Sequence, residues 1–125
     1  MTEERKTVLV ADDDELFASY VACELKRAGV CAYEAYSWSH LREILKEMPI
    51  DCILLDVIFP DKHGFTVLAE LRMWEKARHI PVVFFSGLSG FRLREQAFAL
   101  GAKEYFVKGE HEMKDIVAFL LRHVV

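Results

Sequence analysis

Five short runs along the chain are rich in β-branched and aromatic residues: VLVA (8–11), VCAYEAY (30–36), CILLDV (52–57), VVFFS (82–86) and EYFVK (104–108). Runs of this length and composition predict strands. Between them the apolar residues change to helical spacing. Phe17, Tyr20, Val21 and Leu25 fall at i, i+3, i+4 and i+8, with Gly29 placed as a stop. Leu41, Ile44, Leu45 and Met48 repeat the pattern before Pro49; Leu68, Leu71 and Trp74 mark a third helix. Leu93, Ala97 and Leu100 predict a fourth that ends at Gly101, and Met113, Ile116, Val117, Leu120 and Val124 form the clearest stripe.

Strand and helix therefore take turns through five βα units, with no internal repeat or linker between them. The expected organisation is one domain over residues 1–125, opened by a polar segment at 1–6. The first, third and fourth strands are almost wholly apolar, as required when helices cover both faces of a parallel sheet. Right-handed crossovers then predict an α/β fold: a doubly wound (βα)5 domain, flavodoxin-like, with strand order 2-1-3-4-5.

Charge narrows the partners. The net charge is −4, and no window gathers basic residues into a stripe, so neither a nucleic-acid backbone nor an anionic membrane is an expected partner. Cys23, Cys31 and Cys52 are odd in number and lack CxxC spacing, which predicts reduced, buried thiols in a cytoplasmic protein. No apolar run approaches the length of a membrane span.

The chemistry gathers where the strands end. Asp12, Asp13 and Asp14 follow the first strand and Asp56 closes the third, its neighbour in the predicted sheet. Ligands of such sheets bind beyond the carboxyl ends of the strands, so these carboxylates are expected to converge, with Ser86 and Lys108 at the ends of the fourth and fifth. Crowded carboxylates repel one another unless a cation sits among them, and Mg2+ prefers oxygen donors. A hydroxyl and an ammonium opposite would complement a phosphoryl group. Each residue also has a plainer reading. Asp14 and Glu15 suit the cap and first turn of a helix; Asp56 suits a turn before FPDKHG; Lys108 suits solvent, and Tyr105 a half-buried core. The five histidines lack metal-ligand spacing, and Trp38 and Trp74 suit packing or a partner surface.

In order and spacing these fragments resemble the receiver domains of two-component response regulators over nearly the whole chain. The resemblance rests on the Asp12–Asp13 pair, on Asp56 with Pro60 and Gly64 after it, on Ser86–Gly87, and on Tyr105 three residues before Lys108. It implies that Asp56 accepts a phosphoryl group from a phosphohistidine, forming an acyl phosphate. Asp13, Asp56 and the backbone carbonyl of Ile58 would coordinate Mg2+, with Asp12 acting through water. Ser86, the Gly87 amide and Lys108 would bind phosphoryl oxygens. Ser86 would move on phosphorylation and let Tyr105 turn inward, changing the face of the fourth helix, fifth strand and fifth helix.

The implied partners are a sensor histidine kinase or histidine phosphotransfer protein upstream and a downstream protein or fused output domain, with a phosphorylation-dependent homodimer as a further outcome. The only catalysis implied is the domain's own aspartyl phosphorylation and dephosphorylation. Gly109 stands where the family has proline, which puts the aim of Lys108 in question. Ile58 and Leu88, both apolar, flank the expected route of attacking water and are expected to slow hydrolysis. Two other readings compete: a Mg2+-dependent phosphohydrolase, which would want an acid at the position of Ile58, and a receiver-fold scaffold that has lost phosphorylation.

Overall fold

A computed structural model describes residues 5–125; residues 1–4 of the polar segment read at 1–6 lie outside the described residues. In chain order the elements are β1 (Thr7–Ala11), α1 (Glu15–Arg27), β2 (Cys31–Ala35), α2 (Trp38–Glu47), β3 (Cys52–Leu55), α3 (Gly64–Met73), β4 (Val82–Ser86), α4 (Phe91–Ala99), β5 (Glu104–Val107) and α5 (Met113–His123). All strand pairs are parallel, in the order β2-β1-β3-β4-β5. This is the predicted doubly wound topology. Among the described residues no helix is long and apolar enough to cross a membrane.

Side chains of a strand alternate between faces, so each interior strand feeds two cores. Leu9, Ile53, Leu55, Val82 and Phe84 pack with Leu41, Leu45, Val67, Leu68, Leu71 and Ala97 of α2, α3 and α4. Val8, Val10, Leu54, Val83 and Phe85 pack with Ala18, Val21, Leu25, Met113, Ile116 and Leu120 of α1 and α5. Each buried leucine or isoleucine contributes about 1.5–3 kcal/mol relative to an exposed one. β3 and β4 are buried at every position, whereas the edge strand β2 leaves Tyr33 exposed.

Helix ends follow local chemistry. The Asp14 side chain accepts from the Phe17 amide at 3.1 Å and caps α1. At the other end Gly29, at φ +89°, donates to the Lys26 carbonyl while Val30 donates to that of Leu25, closing the helix through a left-handed glycine.

Two expectations are corrected. The buried stripe of α1 is Ala18, Val21, Ala22 and Leu25, while Tyr20 is exposed and Phe17 only half-buried. Small residues let the helix axis approach the sheet, and the large aromatics turn to its flank. The thiols are not uniformly buried either: Cys52 is, Cys31 is intermediate, and Cys23 on α1 is exposed. Cys52 lies in an interior strand; Cys23 occupies the solvent side of its helix.

Burial, with the Asp51 charge adding to it, pushes the Cys52 thiol up from 9.0 to about 12. A thiolate-selective reagent at about pH 8 is expected to label Cys23 in the folded protein and Cys52 only after unfolding. The raised value also carries a sign. Between 9.0 and about 12 the folded chain keeps a proton that the unfolded chain has lost. The Cys52 contribution to stability is therefore complete below that window and disappears as pH rises through it. Urea denaturation of the parent and Cys52→Ala across this range is expected to show that loss in the parent alone.

Candidate functional site

The residues of interest stand one step beyond the strand ends, yet their backbones stay in the sheet's hydrogen-bond ladder. The amide of Asp12 donates to Ala35 O and that of Asp56 to Ala11 O, both at 2.9 Å, and Lys108 N donates to Ser86 O at 2.8 Å. Sheet register, rather than loop conformation, thus sets where their side chains begin. Among the described residues Asp12, Asp56 and Ser86 are the buried polar ones; Asp13 is exposed.

Asp12, Asp13 and Asp56 each offer a carboxylate oxygen within 4.8 Å of the others. Lys108 Nζ donates to Asp12 Oδ2 at 2.6 Å and to Asp56 Oδ2 at 3.4 Å. Burial pushes the Asp12 carboxyl above its ordinary range, further than the Lys108 and Asp14 hydrogen bonds can draw it back, and the Asp56 charge adds to the rise. Burial alone would lower the Lys108 ammonium, but hydrogen bonds and charge from Asp12 and Asp56 outweigh that and raise it. One lysine is thus shared between two of the three acids, Asp12 and Asp56. The all-oxygen donor set and its surplus negative charge fit a hard divalent cation such as Mg2+.

The Asp56 loop is held from two sides. A Cβ on Gly64 would stand 2.5 Å from the Asp56 carbonyl oxygen and 2.7 Å from Val57 Cα, so only glycine lets α3 start this close. Asp61, read in the sequence only as part of a turn, takes the Trp38 amide at 2.9 Å and the Ser39 amide at 3.2 Å, tying the loop to the start of α2. His63 caps α3 through Nδ1, which accepts from Phe65 N. Trp38 is buried under Lys62 and Arg42.

Opposite, Ser86 Oγ accepts from Leu88 N at 3.1 Å and the Tyr105 hydroxyl donates to Leu88 O at 2.7 Å. Tyr105 already stands inward, 2% exposed, with its hydroxyl tied to Leu88 O, which corrects the expectation of an inward turn driven by phosphorylation. Burial raises its phenol, against a weaker hydrogen-bond effect from Ser86. Arg94, which carried no signal in the sequence, donates to Tyr105 O at 2.9 Å and pairs with Glu104 at 2.7 Å, fastening α4 to β5. Gly87 is exposed, as are the Ile58 and Leu88 side chains at 49% and 41%. Lys108 reaches both carboxylates although Gly109 follows it, so the altered residue does not spoil its aim.

An α/β sheet with an acidic crevice beyond its carboxyl edge, faced by one lysine, is what the geometry defines. The family model of the response regulator receiver domain matches residues 8–120, and the chain belongs to that family. It is 32% identical over 117 residues to the DNA-binding dual master transcriptional regulator RpaA of Synechocystis sp., covering 92% of this chain and 48% of that protein. It is 31% identical over 110 residues to a probable cyclic di-GMP phosphodiesterase of Vibrio cholerae, covering 82% of this chain and 23% of the relative. The chain thus spans between about a quarter and a half of these relatives. The chemotaxis protein CheY4 of Vibrio cholerae shares the fold at TM-score 0.87 and 22% identity, with 98% of this chain and 100% of that one covered.

Two outcomes test the site's construction. Because Asp12 is raised in the folded state, the metal-free parent loses the advantage of its retained proton as pH climbs above 3.8. Asp12→Asn has no such titration, so in chelator its stability relative to the parent is expected to increase with pH, measured by urea denaturation. Gly64→Ala is expected to cost about 1–3 kcal/mol, as overpacking against backbone does, with amide shifts concentrated at residues 56–58.

Proposed function

We propose that this chain, as a single domain over residues 1–125, is a phosphorylation-dependent signalling receiver whose phosphoacceptor is Asp56. The observation that carries the reading is the meeting of three carboxylates with Lys108 at the ends of β1, β3 and β5. An Asp56 oxygen attacks the phosphorus of a phosphohistidine on a sensor kinase or phosphotransfer protein. The P–N bond breaks, its electron pair leaves with the imidazole, and an acyl phosphate remains. Asp13, Asp56 and the Ile58 carbonyl would hold Mg2+, with Asp12 acting through water. Bound there, the ion neutralises charge between the carboxylates and the incoming phosphoryl oxygens.

Lys108 faces Asp56 and supplies a fixed positive charge to a phosphoryl oxygen, while the Ser86 hydroxyl and Gly87 amide serve the others. Recruiting Ser86 would remove Oγ from the Leu88 amide, which it now engages at 3.1 Å. The Leu88 backbone is also where Tyr105 is tied. Phosphorylation thus alters contacts at the segment joining β4 to α4, and only such a difference in contacts can shift populations. The readout face is α4, β5 and α5, offered to a downstream protein, a fused output domain or a second copy. The exposed Ile58 and Leu88 side chains shield the acyl phosphate from water.

Incubation with Mg2+ and acetyl phosphate is expected to add one phosphoryl-sized mass, lost in Asp56→Asn and strongly reduced without Mg2+ or in Lys108→Ala. No mass gain under forcing conditions supports the scaffold reading instead, and steady turnover of phosphate monoesters the phosphohydrolase. Ile58→Asn is expected to shorten the lifetime of the phosphoprotein, read from loss of label after the donor is removed. An unchanged lifetime removes the shielding role.

A further inference from the structure

Lys108 has a third neighbour besides the two carboxylates. Its Nζ lies 4.4 Å from the centroid of the Phe17 ring, within the range in which an ammonium is attracted to an aromatic face. We propose that Phe17 is a positioning residue that holds the Lys108 ammonium over Asp12 and Asp56. The inference rests on the receiver reading of the site.

The ring is itself held in place. The Phe17 amide donates to Asp14 Oδ1 at the cap of α1, and the ring meets that of Phe85 at 5.3 Å and 58°. This explains why Phe17 stays half-buried on the flank of α1 instead of joining the buried stripe.

Lys108 lacks an equivalent brace from its own backbone. Its amide is tied to Ser86 O, but the next residue is Gly109 at φ +86°, where a Cβ would find nothing within 4 Å. Ordering a long lysine side chain costs entropy, and a flexible residue beside it does nothing to reduce the cost. Attraction to Asp12 at 2.6 Å also competes with reach toward Asp56 at 3.4 Å. A ring face restrains the ammonium without offering a lone pair. It therefore does not compete with a phosphoryl oxygen for the N–H groups.

The test replaces Phe17 with mono-, di- and trifluorophenylalanine, which keep most of the ring's shape and contact with Phe85 while draining its negative face. Phosphorylation of Asp56 by acetyl phosphate is expected to slow stepwise along the series, reaching about three- to tenfold, as the loss of a partly desolvated cation–π contact implies. Phe17→Trp is expected to restore the rate. In the unphosphorylated protein, NMR is expected to show ring-shifted, non-equivalent Lys108 ε-protons in the parent that become averaged in Phe17→Leu. Equal rates across the series, or Lys108 ε-protons that do not change in Phe17→Leu, overturn the assignment. If the parent gains no phosphoryl mass, the receiver reading fails by itself, and the proton shifts alone decide whether Phe17 orders Lys108.

Discussion

The constraint on which the structure turns is the mutual repulsion of Asp12, Asp13 and Asp56, whose oxygens lie within 4.8 Å of one another at the carboxyl edge of the sheet. Two of these acids are buried, where unbalanced charge is costly. A lone lysine offsets part of that cost. A sheet with helices on both faces can sustain such a cluster because its interior strands are anchored over their whole length by apolar contact. The site is a locally unfavourable arrangement held by a favourable core, and its crowded carboxylates suit a divalent cation.

The parallel ladder converts that core into positional accuracy. Asp12, Asp56 and Lys108 all have backbone amides bonded to a neighbouring strand, so strand register determines their separation. Loops supply a second level of control. Gly64 lets α3 press against the Asp56 backbone, and Asp61 pins the same loop to α2. On the other side, the Leu88 backbone takes one bond from each of two roles: its amide serves Ser86 and its carbonyl serves Tyr105. Ser86 of β4 and Tyr105 of β5 are thus both tied to one residue of the segment between β4 and α4.

Periodicity made the elements and their order legible, because alternating runs of strand and helix composition permit few topologies once crossovers are right-handed. The acidic pair, Asp56, Ser86 and Lys108 were legible for a related reason: each stands at a strand's carboxyl end, where such sheets place ligands. Side-chain partnership was not legible. Arg94 lies eleven residues before the Tyr105 carbonyl it binds, and Asp61 lies 23 residues after the Trp38 amide it caps. Nothing in local composition marks those pairings. The stripe of α1 was misread because hydrophobic size favoured Tyr20 and Phe17, whereas close approach to the sheet favoured Ala18 and Ala22.

What the chain by itself determined is the alternation of elements and the identity of the chemical groups at their ends, since both depend on local propensity and apolar spacing. The tertiary structure decided distances and competition: that Lys108 sits closer to Asp12 than to Asp56, that Phe17 faces the ammonium, and that Cys52 is shielded while Cys23 is not. These depend on how elements far apart in sequence approach one another, and that approach is set by packing of the whole core, which no short window of residues contains.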